Sequence, residues 1–114
     1  MTPDLEKWLG TARDGPLLRH SLGLKYAKAG DLDKAIEHFS EAVARDPRYS
    51  AAWKGLARAL ADAGREALAI DAYRRGIAAA QQAGDKQAEK EMRVFLRRLE
   101  KDQPSGGTSP VRKA

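Results

Sequence analysis

Two histidines, sixteen carboxylates and no cysteine are what this 114-residue chain offers for acid–base, nucleophilic or metal chemistry. His20 and His38 stand in different segments, and neither belongs to an HExxH pattern or another metal-binding spacing. The lack of cysteine excludes disulfides, thiolate zinc sites and a thiol nucleophile, while leaving the redox compartment open. Acid–base catalysis needs carboxylates that converge in a sheltered pocket. Asp31, Asp33, Glu37 and Glu41 read instead as a helix cap and a solvated helix face. The Gly106-Gly107 pair lies in a stretch rich in Pro and Ser, and no phosphate-cradling loop occurs. The expectation is a non-enzyme with no cofactor and no metal site.

Charge is the remaining chemistry. Lys54 and Arg58 are four residues apart, so on a helix they share a face and can grip a carboxylate, Arg in bidentate fashion. The same two residues also read as ordinary solvated charges, with Arg58 partly neutralised by Asp62 one turn on. Lys86, Lys90, Arg93, Arg97 and Lys101 follow a 4,3,4,4 spacing, which makes a basic stripe opposite the apolar Ala88, Met92, Phe95 and Leu99. Glu89, Glu91 and Glu100 dilute its field, and the stripe reads as a solvated face. The net charge of +5 is mild; residues 1–84 carry two units of it and residues 85–114 three. Nucleic-acid binders show a denser patch, often with interleaved aromatics.

The elements that must position these groups are helices. Of 48 apolar residues, 33 are Ala or Leu, whereas Val and Ile supply three each. Ala and Leu cost a helix least, and β-branched residues suit a sheet better. No stretch approaches the roughly 18 to 20 apolar residues needed to span a bilayer. The opening MTPDLEKWLG lacks a basic region followed by an apolar run, so it does not read as a signal peptide, and the cytoplasm is the expected compartment.

Shifting the sequence by 34 residues aligns 16–47 with 50–81: Leu22 falls on Leu56, Gly30 on Gly64, Ala35 on Ala69, Ile36 on Ile70 and Phe39 on Tyr73. Each unit reads as two helices. Leu18, Leu22 and Tyr26 stripe the first, Gly30 ends it, and Asp31 caps the next, where Ala35, Ile36, Phe39, Ala42 and Val43 form an apolar face. Asp46-Pro47 closes that helix. In the second unit Ser50 is expected to cap a helix bearing Trp53, Leu56, Ala57 and Leu60. Gly64 breaks it, and the following helix carries Ala69, Ile70, Tyr73 and Ile77 to about Ala83, since no Pro stops it. Thr2 and Pro3 suit the start of a short N-terminal helix with Leu5, Trp8 and Leu9 on its apolar side. Gly84-Asp85 opens a last helix, and the composition after Gln103 predicts a flexible tail. The expected divisions are 1–15, 16–49, 50–83, 84–102 and 103–114.

These residues resemble the tetratricopeptide repeat family, whose 34-residue unit pairs a Trp-Leu-Gly-Tyr helix with an Ala-Phe-Ala-Pro helix. The first unit has Leu22, Gly23, Tyr26, Ala35, Phe39, Ala42 and Pro47 at those spacings, with Arg19 in the Trp position. The second has Trp53, Leu56, Ala57, Leu60, Ala69 and Tyr73, with Gly76 at the second small position and Gln81 where Pro is usual. The layout is similar to that of small, stand-alone bacterial members. The resemblance implies an all-α, right-handed superhelix of two helix pairs, flanked by the short N-terminal helix and a C-terminal capping helix. It also implies that the concave surface, formed by the first helix of each pair, binds a segment of a partner protein. There the register places His20, Leu24 and Lys28 from the first unit, and Lys54, Arg58 and Asp62 from the second. His20, Leu24, Lys54 and Arg58 are therefore the candidate partner-binding residues. The carboxylate clamp with which some members hold chaperone tails is not matched, because His20, Leu24 and Gly55 stand at its Lys and Asn positions.

The function so implied is that of an adaptor, assembly factor or co-chaperone-like module, a monomer or weak homodimer with no membrane partner and with nucleic acid disfavoured as a partner. The alternatives are a self-associating structural protein, or a binder of RNA or anionic surfaces through the basic last helix. The Leu5, Trp8 and Leu9 helix either caps the edge around Leu18 and Leu22 or occupies the groove as an internal ligand.

Overall fold

Where the chain is rich in Ala and Leu it is helical. The computed structural model describes residues 4–102, and within them a 3-10 turn (Leu5–Trp8) precedes five α-helices. These are α1 (Pro16–Lys28), α2 (Leu32–Arg45), α3 (Ser50–Asp62), α4 (Glu66–Ala83) and α5 (Lys86–Asp102). Each helix packs on the next, α1 also meets α3, and α3 meets α5. The result is an all-α array of two helix pairs with α5 closing one end.

The turns follow from their residues. Gly30, Gly64 and Gly84 all take left-handed backbone angles, which cost glycine nothing. In each case the next N–H reaches back to a carbonyl five residues earlier: Asp31 to Tyr26 (2.9 Å), Arg65 to Leu60 (2.8 Å) and Asp85 to Ala80 (2.8 Å). Asp31 then caps α2 by accepting from the Lys34 N–H at 3.2 Å. Between α2 and α3 the chain uses Asp46-Pro47 instead, and α2 stops at Arg45.

Two details differ from the sequence expectation. Ser50 is not the cap of α3 but its first residue, following Tyr49. It is buried, and its hydroxyl donates to Asp85 at 3.5 Å. Asp85 caps α5, accepting the Ala88 N–H at 3.0 Å. At the N-terminus the apolar Leu5 and Trp8 sit on a single 3-10 turn rather than a longer helix; Thr2 and Pro3, like the expected tail at 103–114, lie outside the described residues.

The core contains Leu22, Phe39, Tyr73 and Met92, all essentially buried, among small residues such as Ala35, Ala42, Ala57 and Ala69. Phe39 of α2 lies between the two first helices. A Cβ at Gly23 would stand 2.6 Å from its ring, and one at Gly55 2.5 Å. Gly76 does the same in the next layer, where a Cβ would meet Met92 Sδ at 2.5 Å and Trp53 Cβ at 2.7 Å. The departure from Ala at this position makes room for α5.

Candidate partner-binding groove

α1 and α3 lie side by side, and α5 runs parallel to α3 on its far side, so residues three or four apart on each helix line a common trough. His20 and Leu24 come from α1, Lys54, Gly55 and Arg58 from α3, Tyr73 from α4, and Glu91 and Phe95 from α5. They bound a groove of about 640 Å³. All four residues singled out from the sequence line this one groove. Lys28 does not line it, and Asp62 lies beside it as the partner of Arg58 at 3.6 Å.

Leu24 is 51% exposed, an apolar side chain held open on the wall. Phe95 stacks on buried Tyr73 with ring centroids 5.9 Å apart, and the Arg58 guanidinium sits 5.5 Å above the Phe95 ring. Lys54 Nζ donates to Glu91 at 2.7 Å, an ion pair that bridges α3 and α5. That hydrogen bond is the main reason the Glu91 carboxyl lies below the usual carboxylate range. His20 is half-buried, with Tyr49 Oη 3.1 Å from its Nδ1. Burial, reinforced by the positive charge of Lys54, lowers its pKa and so favours the neutral imidazole. The groove thus combines apolar Leu24, Phe95 and Tyr73 with charged groups already paired within it.

Sequence reasoning missed Glu91, Phe95 and Tyr49. The signal for the first two was that a fifth helix in the place of a third first-helix must run parallel to α3, which sets Glu91 beside Lys54 and Phe95 beside Arg58.

His38 lies elsewhere, buried between the helices and stacked on Tyr26 with centroids 5.6 Å apart. Arg19, in the position where the repeat usually has Trp, approaches its Nδ1 to 3.4 Å and donates to Asp14 at 3.0 and 3.1 Å. Asp14 also accepts from the Gly10 N–H at 2.9 Å, and these bonds pull its pKa down to about 2. The N-terminal turn is held in place by this network and by Tyr26 donating to Glu6. Leu5 and Trp8 share a shallow pocket with Leu17, Leu18 and Ser21, apart from the groove, so the turn covers the outer edge of α1 and is not an internal ligand. Among the described residues no group of three His, Asp or Glu side chains is placed to hold a metal ion. No described helix is long and apolar enough to cross a membrane.

Paired helices sharing a trough on their first-helix side define a helical-repeat protein. The pattern of the tetratricopeptide repeat matches residues 20–84, more than half of the chain. TPR repeat-containing protein PA0015 of Pseudomonas aeruginosa is 50% identical over 101 residues, covering 89% of this chain and 96% of its own. The solution structure of protein BPP2914 from Bordetella parapertussis superposes with a TM-score of 0.75 at 43% identity, over 90% of this chain and 91% of that one. A tetratricopeptide repeat domain protein from Salinibacter ruber gives 0.74 at 26% identity, over 79% of this chain and all of its own. The chain belongs to the tetratricopeptide repeat family, whose members are generally non-catalytic and bind other proteins.

Proposed function

We propose that this chain is an adaptor or assembly factor that docks a segment of a partner protein in the groove between α1, α3 and α5. The observation that carries this reading is the convergence of an exposed Leu24, an aromatic Phe95 and polar His20, Lys54 and Arg58 on one groove of about 640 Å³. An apolar side chain of the partner packs against Leu24 and Phe95, while Arg58 and His20 fix its polar groups. Hot-spot binding depends on this combination of a desolvated apolar anchor with flanking polar contacts. A protein partner is what the family leads one to expect; the roles given to the four residues rest on the groove itself.

The test is to select peptides from a random displayed library against the full chain, then titrate them into wild-type, Leu24→Asp and Arg58→Glu protein. Each substitution should weaken the selected peptides by about tenfold or more, the scale of one hot-spot contact. Peptides that bind both variants as tightly as wild type would remove the groove from consideration.

A further inference from the structure

The basic stripe on α5 is less diluted than its sequence suggests, because Glu91 and Glu100 are drawn off to neighbouring helices. Glu89 stays among the basic residues and is paired with Arg93. Glu91 is drawn to Lys54 of α3 at 2.7 Å, Glu100 to Arg74 of α4 at 2.7 Å, and Glu89 to Gln81 of α4 at 3.1 Å and to Arg93 at 2.9 Å. Lys86, Lys90, Arg97 and Lys101 are exposed and make no ion pair within 4 Å among the described residues. With Arg93 they form a row that extends about 22 Å along the helix. The opposite side of α5 is occupied by the core, through Ala88 and Met92.

We propose that this outer face of α5 binds the phosphate backbone of duplex DNA without reading its sequence. The composition of the face selects this occupant. A protein interface needs an apolar centre, and Val94, 38% exposed, is the sole large apolar side chain on this face among the described residues. Insertion into a bilayer needs an apolar helix side, and that of α5 is spent on α4. Single strands are held by stacking on aromatics, which the row lacks. A row of unpaired cations on the free side of a terminal helix instead matches the evenly spaced phosphates of a duplex. The B-form major groove also admits a helix, whereas the A-form groove does not. This surface is separate from the peptide groove, so the two proposals stand or fall independently.

The experiment is a fluorescence anisotropy titration of a labelled random-sequence DNA duplex of about 20 base pairs with the full chain, repeated across a salt series. Four unpaired cations predict micromolar binding at low salt and a slope of log K against log salt near about −4. Combining Lys90→Gln, Arg97→Gln and Lys101→Gln should reduce that slope by about three and weaken low-salt binding by more than tenfold. The circular dichroism melt should be unchanged, since all three side chains are exposed. Arg112→Gln with Lys113→Gln should retain most of the affinity. The proposal is overturned by no binding below about 100 µM at low salt, or by a slope that the α5 variant does not change. Tighter binding to an oligo-dT strand, or binding to phosphatidylserine vesicles but not to DNA, also overturns it.

Discussion

A methyl group added at Gly55 would stand 2.5 Å from the Phe39 ring, and one at Gly23 2.6 Å from the same ring, so Phe39 cannot yield to either without meeting the other. Gly→Ala in a helix ordinarily gains about 1 kcal/mol. Here overpacking, worth about 1–3 kcal/mol, opposes that gain. Gly55→Ala should therefore fail to stabilise, lowering unfolding stability by up to about 2 kcal/mol in urea titrations. In a Phe39→Leu background the same substitution should be neutral or stabilising. Asp14 gives a second residue-scale expectation. Its carboxyl titrates at about 2 in the folded chain against an ordinary 3.8. A depressed carboxylate pKa stabilises the fold above the ordinary value, and that stability is lost as pH falls from about 4 towards 2. Melting temperature should fall across that window, and Asp14→Asn should flatten the fall while lowering the plateau. At this scale the sequence shows that Arg19 replaces the usual Trp, but not why. Asp14 is five residues back in an irregular stretch, and no periodicity connects the two.

Helix ends are legible where a single residue decides them. The left-handed glycines, the Asp31 cap and the Asp46-Pro47 stop are local events, and α4 runs on to Ala83 because nothing interrupts its ladder before Gly84. Ser50 is different. Its hydroxyl is bonded 35 residues away to Asp85, and a tertiary contact displaces the local cap that the sequence suggests. The link between α3 and α5 is equally non-local. Lys54 and Glu91 are both about two-fifths exposed, so solvent screens their attraction. In a double-mutant cycle with Lys54→Ala and Glu91→Ala, the two losses of stability should be nearly additive. Strong non-additivity would mean that the groove is held together by this pair rather than by the packing of Tyr73 on Phe95.

For the molecule as a whole, two repeats fall short of the roughly three that such arrays need, and α5 supplies the missing layer by stacking Phe95 on Tyr73 and setting Met92 against Gly76. A chain ending at residue 84 should lose cooperative thermal unfolding or self-associate, as read by circular dichroism and light scattering. The overall array is legible because duplication states the same pattern twice. The groove is half legible: its α1 and α3 residues follow from the repeat, while Glu91 and Phe95 depend on how a helix outside the repeat slides against it. The wedge formed by Phe39 also sets a curvature. Gly55 faces the groove on one side and the Phe39 ring on the other, so the thickness of one aromatic ring fixes how far α1 stands from α3. The width of the trough is thus governed by a side chain that does not line it, and a change at position 39 would alter what fits there without touching the surface a ligand meets.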